Sequence, residues 1–280
     1  MVVRAVATTG IYCRSQCAAR PDVDNVSEFA LPAAAEAAGY RACHRCRPYR
    51  HDDPPGAIGP ELICTAVRLV CDGALDQGTE SDLGALVGVS PRHLRRLFVE
   101  HLGVTPDALA RSRRAHFARL LLDDTDLPVT DVALAAGYGS VRQLQRACAG
   151  TFGESPSELR ARRRSGDRIP VESGLSLHMR RPEVGDTMAR PSVPAPEDHP
   201  AVEIGNGSLR CQIDPPEGPG HLELRDLDRE HLELHVELEH WHGLVHVVRR
   251  ARRLATLLPG PEADADAADA DAANAEAANA

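Results

Sequence analysis

The fold of this sequence is decided by the stretch SDLGALVGVSPRHLRRLFVEHLG, from Ser81 to Gly103. Its apolar residues recur every three or four positions on either side of Gly88, which predicts two helices joined by a tight turn. Ser90 and Pro91 mark the start of the second helix, because a serine side chain accepts a hydrogen bond from the free amides there and proline has no amide to leave unpaired. Two helices joined by a glycine-containing turn are typical of the helix-turn-helix unit that binds DNA.

The pattern occurs a second time further along the chain. VTDVALAAGYGSVRQLQRACAGTFG, from Val129 to Gly153, predicts a short helix, a glycine turn and a second helix, now capped by Ser140. PDALARSRRAHFARLLLDD, from Pro106 to Asp124, predicts a long helix that connects the two units. One unit alone would be a moderate indication of DNA binding, whereas two at this separation are a strong one. We therefore expect an all-α double helix-turn-helix domain over residues 61–166.

In the second helix of each unit, the apolar residues share one face, and the polar side chains lie on the opposite, outward face. Leu94 and Phe98 have core spacing in the first unit, and Leu144 and Cys148 have it in the second. Arginine binds guanine through two hydrogen bonds and glutamine binds adenine, but for any single arginine a phosphate or solvent contact is the more common role. The expected DNA-contacting residues are Arg92, Arg95, Arg96, Arg142, Gln145 and Arg146.

This region, roughly Leu62 to Arg160, resembles the DNA-binding domain of AraC-type transcription regulators. The resemblance rests on GVTPDALARSRRAHFARLLL, DVALAAGYGS and the closing GTFGESPSELR. It implies that the two recognition helices enter successive major grooves on one face of the duplex, and that RNA polymerase is a further partner. Leu144 and Cys148 stand where the family usually has two phenylalanines, so we expect the second unit to be less tightly packed.

Four cysteines lie ahead of this domain, as Cys13 and Cys17 in CRSQC and Cys43 and Cys46 in CHRC. Structural zinc is held by four such side chains in a tetrahedron, with ligands about two to four residues apart within each pair, so the spacing predicts one zinc site. Without a secretory signal, metal binding is favoured over disulfides. Spacing alone favours a purely structural zinc.

The residues that flank the cysteines carry a second resemblance. TTGIYCRSQCAAR, NVSEFA and EAAGYRACHRCRP, over about Val2 to Pro48, resemble the amino-terminal domain of Ada-type methylphosphotriester DNA methyltransferases. The resemblance implies that Cys13 is the methyl acceptor. The matching segment begins after the helix that usually opens such domains. The zinc ligands that it implies are Cys13, Cys17, Cys43 and Cys46. Positions that depart from the family's usual residues are Ala7, Ser15 and Gln16.

The chemistry that this resemblance implies agrees with the properties of a zinc-bound thiolate. A thiolate is the nucleophile, and zinc keeps cysteine deprotonated at neutral pH. The sulfur of Cys13 would attack the methyl carbon of an uncharged, methylated backbone phosphate and leave a thioether that does not turn over. One negative charge would then be lost from the site, which should strengthen binding to polyanionic DNA. Arginines expected to contact phosphate near the metal are Arg14, Arg20, Arg41, Arg45 and Arg47.

After Pro170 the apolar pattern changes from helical to alternating. LSLHMR, SLRCQID, HLELRDL and HLELHVELE predict strands, and GLVHVVRRARRLATLL predicts a helix. Residues 170–258 are therefore expected to form a small α+β module, which resembles a degenerate amino-terminal domain of AlkA-type DNA glycosylases. The catalytic helices of base excision have no counterpart here, so we expect a scaffold or interaction role and no glycosylase activity. For the histidines between His231 and His246 we favour surface or structural roles over a second metal.

Composition separates the remaining segments and limits the class of protein. The formal net charge is -9, but acids and bases nearly balance through Arg168, and the acidic excess lies in the remainder. HDDPPGAIGP (residues 51–60) is expected to be a linker after the zinc domain (1–50), and the Ala/Asp-rich residues 259–280 to be disordered. The sequence shows neither a secretory signal nor an apolar run of the roughly 20 residues that span a bilayer, so we expect a cytoplasmic, nucleoid-associated bacterial protein.

These features predict a multidomain protein with a small α+β zinc domain, an all-α double helix-turn-helix domain and a small α+β module. The leading hypothesis is a single-turnover methyl acceptor from DNA methylphosphotriesters that also activates genes of the alkylation response. Its cofactor would be one zinc ion, and its partner double-stranded DNA at damaged and promoter sites. The alternatives are an AraC-type transcription factor whose zinc is purely structural, and a decayed gene product that still binds DNA.

Overall fold

The computed structural model describes residues 2–18, 23–51, 59–76, 78–169, 173–181, 202–205, 207–213 and 219–258. Its contacts divide the chain into two units, residues 1–170 with 240–249, and residues 171–239 with 250–280. Most of the expected linker and all of the expected disordered tail (259–280) lie outside the described residues. No described helix is both long enough and apolar enough to cross a bilayer.

The first unit opens with a four-stranded sheet that carries the cysteines. Its strands are β1 (Val3–Val6), β2 (Ile11–Arg14), β3 (Val26–Phe29) and β4 (Arg41–Ala42). They lie in the order β3-β1-β2-β4, with β4 parallel to β2 and the other pairs antiparallel. Helix α1 (Pro32–Ala37) and a 3₁₀ turn at Pro48–His51 complete this region, which we call the metal domain (residues 2–51).

The rest of the first unit is helical. Its helices are α2 (Glu61–Cys71), α3 (Glu80–Leu86), α4 (Pro91–Leu102), α5 (Pro106–Asp124), α6 (Val129–Ala135), α7 (Val141–Phe152) and α8 (Pro156–Ala161). Helices α3 and α4 form the first helix-turn-helix unit, and α6 and α7 form the second. Gly88 and Gly137 lie in the two turns with φ angles of 76° and 77°, which glycine adopts without the strain that a β-carbon would add. As predicted, the hydroxyls of Ser90 and Ser140 accept hydrogen bonds from backbone amides of α4 and α7.

One apolar core joins the metal domain to the first helix-turn-helix unit. Its buried members from the metal domain are Leu31, Ala33 and Ala34. Its buried members from the helical region include Ile63, Ala66, Val70, Leu83, Leu94, Phe98, Leu102, Val104 and Leu109. Burying apolar surface is the main favourable contribution to folding, so the metal domain and the first helix-turn-helix unit stabilise each other.

The second unit contains a five-stranded antiparallel sheet in the order β5-β9-β8-β7-β6. Its strands are β5 (Leu175–Arg180), β6 (Val202–Gly205), β7 (Ser208–Ile213), β8 (Gly220–Asp226) and β9 (His231–Leu238). Four of them confirm the predicted strands. The strand β6 was not predicted, because it is only four residues long and its residues are largely exposed. The predicted helix is α9 (Leu244–Leu254), which follows in the chain.

Candidate metal centre and nucleic-acid interface

The four predicted cysteines come together at one edge of the first sheet. Cys13 lies on β2 and Cys43 directly after β4, and the parallel pairing of these strands places the two side by side. The amide of Cys43 donates to the carbonyl oxygen of Tyr12 at 3.0 Å, which continues this pairing. The sulfurs of Cys13, Cys43, Cys17 and Cys46 all lie within 4.8 Å of one another. Four sulfurs at about 2.3 Å from one zinc ion would be about 3.8 Å apart, so the cluster has the size of a zinc site.

Two tight turns bring the second cysteine of each pair back to the first. The amide of Cys17 donates to the carbonyl of Arg14 at 3.0 Å, and the amide of Arg47 donates to the carbonyl of Cys43 at 2.9 Å. Between the turns, the amide of Arg14 donates to the sulfur of Cys46 at 3.4 Å. The backbone therefore holds the cluster in place and supplies a hydrogen bond to one thiolate.

The electrostatics of the cluster favour a bound cation once the sulfurs are thiolates. The hydrogen bond with Cys46, burial and the negative charge of Cys43 together raise the pKa of Cys13 well above its ordinary value. The hydrogen bond from Cys13 is the main reason that the pKa of Cys46 falls to about 5. Four thiolates at this separation repel one another, and a divalent ion between them removes that repulsion. Within the part of the chain that the structure describes, this is the one group of three or more close His, Cys, Asp or Glu ligands, and the histidines of β9 form none.

The predicted phosphate-contacting arginines divide into three groups. Arg45 is exposed between Cys43 and Cys46, and Arg14 and Arg41 are half-buried. Arg20 lies outside the described residues. The remaining one, Arg47, is buried.

The structure contradicts the predicted phosphate contact of Arg47. Its side chain is only 5% exposed, and its Nη1 donates to Oδ2 of Asp167 at 2.6 Å and lies 3.9 Å from Oδ2 of Asp123. A charged group is tolerated at such depth only when it is paired, so this guanidinium is held by the protein's own carboxylates. The sequence pattern could not show this, since Asp167 is 120 residues away.

Arg47 belongs to a buried polar junction between the metal domain and the end of α5, which the sequence analysis missed. Tyr49 donates to Oδ2 of Asp123 at 2.8 Å, and Nη2 of Arg119 lies 2.9 Å from the other oxygen of Asp123. The charged members of this junction are Arg47, Arg50, Arg119, Asp123, Asp124 and Asp167. The signal was present as two consecutive aspartates directly after three leucines at the end of α5.

A second buried polar cluster, also missed, lies behind the strand that carries Cys13. Tyr12 donates to Oε1 of Glu36 at 2.6 Å, and Nε2 of His116 lies 2.7 Å from the same oxygen. Tyr12 is on β2, Glu36 on α1 and His116 on α5, so the cluster links the metal domain to the connecting helix. A histidine among the buried residues of a long helix is the signal that could have indicated it.

The two recognition helices, α4 and α7, present their predicted polar side chains to solvent. Every predicted DNA-contacting residue there is exposed, namely Arg92, Arg95, Arg96, Arg142, Gln145 and Arg146. Leu94, Phe98, Leu144 and Cys148 are buried as predicted. The guanidinium of Arg95 donates twice to Oε2 of Glu80, while the Arg95 side chain itself is 61% exposed.

Comparison with known proteins agrees with both parts of the first unit. Residues 1–49 match the family model described as the metal binding domain of Ada, and residues 83–162 match one described as a helix-turn-helix domain. The chain is 36% identical to a probable bifunctional transcriptional activator/DNA repair enzyme AlkA of Mycobacterium tuberculosis, over 95% of this chain and 54% of that protein. It is 35% identical to the bifunctional transcriptional activator/DNA repair enzyme Ada of Escherichia coli, over 62% of this chain and 47% of that protein.

The chain thus spans about half the length of these two curated relatives. A third relative, the bifunctional transcriptional activator/DNA repair enzyme AdaA of Bacillus subtilis, is 26% identical over 56% of this chain and 72% of its own length. The residues matched by the Ada model include all four cysteines of the cluster. The chain therefore combines an Ada-type metal-binding domain, in which four cysteines form a zinc site, with an AraC-type helix-turn-helix domain.

Proposed function

We propose that this chain accepts a methyl group from a methylphosphotriester in DNA onto Cys13, and that it regulates transcription through its helix-turn-helix domain. The observation that carries the proposal is the closed cluster of four sulfurs in a segment that matches the metal binding domain of Ada. The relatives' names, which combine transcriptional activation with DNA repair, support both halves. Zinc in this cluster would keep the acceptor sulfur as a thiolate at neutral pH.

The transfer is a single displacement at carbon. An electron pair of the Cys13 sulfur forms the new S–C bond while the bond between the methyl carbon and the phosphate oxygen breaks. The oxygen leaves with that bond's electron pair, so the backbone regains the negative charge of a phosphodiester. No proton is transferred, and Cys13 becomes a thioether that the protein has no means to reverse. Each molecule therefore accepts one methyl group.

Hydrogen bonding favours Cys13 over Cys46 as the acceptor. The Arg14 amide stabilises the thiolate of Cys46, and a stabilised thiolate is a weaker nucleophile. Exposure alone points the other way, because Cys13 and Cys43 are each 8% exposed whereas Cys17 and Cys46 are more open. The resemblance to the Ada-type domain also selects Cys13.

Mass spectrometry of the full, zinc-loaded chain tests the assignment. After incubation with a duplex that carries one methylphosphotriester, we expect one added methyl group on the peptide that contains Cys13. The Cys13→Ala variant should remain unlabelled, and Cys64→Ala, which removes a cysteine outside the cluster, should label like the wild type. A wild-type protein with one bound zinc and no label would leave the alternative, a transcription factor whose zinc is structural. A methyl group found on another of the four cysteines would disprove only the choice of Cys13 as the acceptor.

For the regulatory half, we propose that loss of one negative charge at the metal centre strengthens binding to a promoter. The residues proposed to contact DNA there are Arg92, Arg95, Arg96, Arg142, Gln145 and Arg146. Arg142→Ala and Arg146→Ala should each weaken binding to the preferred sequence by about 1–3 kcal/mol and affect unrelated sequences less. A footprint that neither variant changes would contradict α7 as the reading helix.

The remaining parts of the proposal concern organisation and surroundings. We assign residues 1–50 to the zinc domain, 61–166 to the helix-turn-helix domain and 170–258 to a module with a scaffold or interaction role. RNA polymerase is the proposed partner at the promoter, and the cytoplasm with its nucleoid the proposed location. Both proposals follow from the regulator function and depend on it.

A further inference from the structure

Arg164 belongs to the end of the helix-turn-helix domain but contacts the loop that holds the metal ligands. Its Nη2 donates to the carbonyl oxygen of Arg45 at 2.8 Å. Arg45 lies between Cys43 and Cys46 in the chain, so the guanidinium of Arg164 lies at the edge of the metal centre. The side chain of Arg164 is exposed. A cationic group from a distant part of the sequence is therefore present on the surface next to the cluster.

A partly buried ion pair explains why the segment after α8 stays at this position. Oδ2 of Asp167 accepts a hydrogen bond from the amide of Arg164 at 2.6 Å and another from Nη1 of Arg47 at 2.6 Å. Arg47 directly follows the ligand Cys46 in the chain. The segment is thus attached to the metal loop at two points, through Asp167 with Arg47 and through Arg164 with Arg45. The first attachment is largely shielded from water, which limits where Arg164 can reach.

The substrate's own chemistry creates a need for such a group. A methylphosphotriester carries no charge, so the lesion cannot be held by a salt bridge, and the duplex has to be bound through its neighbouring phosphates. A guanidinium is planar and presents five donors in a fixed arrangement that suits phosphate oxygens. In Arg164 one donor is used by the Arg45 carbonyl, which orients the plane of the group.

We propose that Arg164 binds a DNA phosphate that flanks the methylated one, so that the end of the helix-turn-helix domain forms part of the damage site. The inference rests on the proposed methyl transfer. It assigns Arg164 a role in holding substrate, beside Arg45 and Arg14 of the metal domain. Asp167 is the positioning residue for this contact.

The test measures the second-order rate of methyl transfer by the full, zinc-loaded chain at several salt concentrations. The Arg164→Ala variant should be slower at low salt and should lose the salt dependence of one phosphate contact. The ratio of the wild-type rate to the Arg164→Ala rate should therefore fall about 3.5-fold between 50 and 200 mM salt. Arg164→Lys should restore the salt dependence, because it restores the charge. The matched control is Arg168→Ala, an exposed arginine in the same segment that pairs with Asp126 at 2.6 Å and should behave like the wild type.

A second duplex locates the contact. When the phosphates on both sides of the lesion are replaced by neutral methylphosphonates, the wild type and Arg164→Ala should react at the same rate. A difference that persists on this duplex, or a loss of rate with an unchanged salt dependence, would overturn the inference and leave Arg164 as a structural tie. Equal rates for the two proteins on the ordinary duplex would overturn it as well.

Failure of the proposed function gives a different result. If the wild type transfers no methyl group, equilibrium binding of the same two duplexes by the zinc-loaded chain replaces the rate measurement. The salt dependence of that affinity then decides whether Arg164 contacts a flanking phosphate. Zinc content, measured for every variant, shows that the metal centre is intact.

Discussion

The two helix-turn-helix units contact the metal domain through different chemistry. The first unit shares an apolar core with it, to which Leu31 and Phe98 both belong. The second helix-turn-helix unit and the end of the connecting helix α5 contact it through polar and aromatic groups: the ring of Tyr49 lies edge-on to Phe152 of α7 at 5.9 Å, and its hydroxyl donates to Asp123 of α5. Apolar burial is strong but has no direction, whereas hydrogen bonds require defined geometry. We therefore expect the first interface to depend mainly on apolar burial and the second on the geometry of its polar contacts.

The polar junction is a poor source of net stability. Burial raises the pKa of Asp124 to about 6 even though the charge of Arg50 opposes the change, so desolvation outweighs the attraction at that carboxylate. Buried ion pairs in general gain little over apolar residues of the same size, but they are costly to break one partner at a time. The comparison thus predicts that single substitutions in the two interfaces will act by different mechanisms.

Removing zinc should have the largest effect on both interfaces. A structural zinc contributes on the order of 10–16 kcal/mol in small zinc-binding peptides, and the metal domain has few other means to hold its cysteine turns. Because Leu31 and Ala34 belong to the shared core, we expect a chelator to lower the melting temperature of the first helix-turn-helix unit as well. Far-UV circular dichroism during heating, with and without chelator, measures this. Cys43→Ser should reproduce the effect and Cys64→Ser should not. Unchanged melting of the helical region would show that the core is not shared in solution.

Asp123→Ala should break the polar junction with the next largest effect. The carboxylate is fully buried, and its loss removes the anion beside Arg119 and the acceptor of the Tyr49 hydroxyl. Removing one member of a buried pair typically costs about 3–5 kcal/mol, which urea unfolding of the full chain measures. Asp126→Ala, which removes an exposed aspartate close by in the chain, is the control and should change little. Similar losses in the two variants would mean that the junction is open to water.

Leu31→Ala tests the apolar interface. This leucine is 4% exposed, and truncation of a buried leucine to alanine costs about 2–5 kcal/mol through lost burial and the cavity that remains. If the core is shared, zinc release and loss of helix should shift together to a lower urea concentration. Leu86→Ala, at a leucine that is 65% exposed, should leave both transitions in place. Two separate transitions in the Leu31 variant would indicate that the metal domain folds independently.

The same contrast explains what the sequence could and could not predict. Helix starts at Ser90 and Ser140 were predictable, because a cap involves amides only three residues away. The cysteine cluster was predictable because each pair has its own ligand spacing. The burial of Arg47 was not, since it depends on a partner brought near only by the tertiary fold. Two points stay predictions: that the second helix-turn-helix unit is less tightly packed than in its relatives, and which arginines contact bases.

The smallest expected effects concern a feature that the two units share. Ser90→Ala and Ser140→Ala each remove a hydroxyl that accepts from a backbone amide at 3.3 Å, and such a cap is worth about 1 kcal/mol. Because the local chemistry is the same, the two variants should lose equal stability in guanidinium unfolding, in contrast to the unequal interfaces. Ser157→Ala, at an exposed position within α8, is the matched control and should be close to neutral. A clearly larger loss for Ser90 than for Ser140 would show that the shared apolar core couples the cap of α4 to the metal domain.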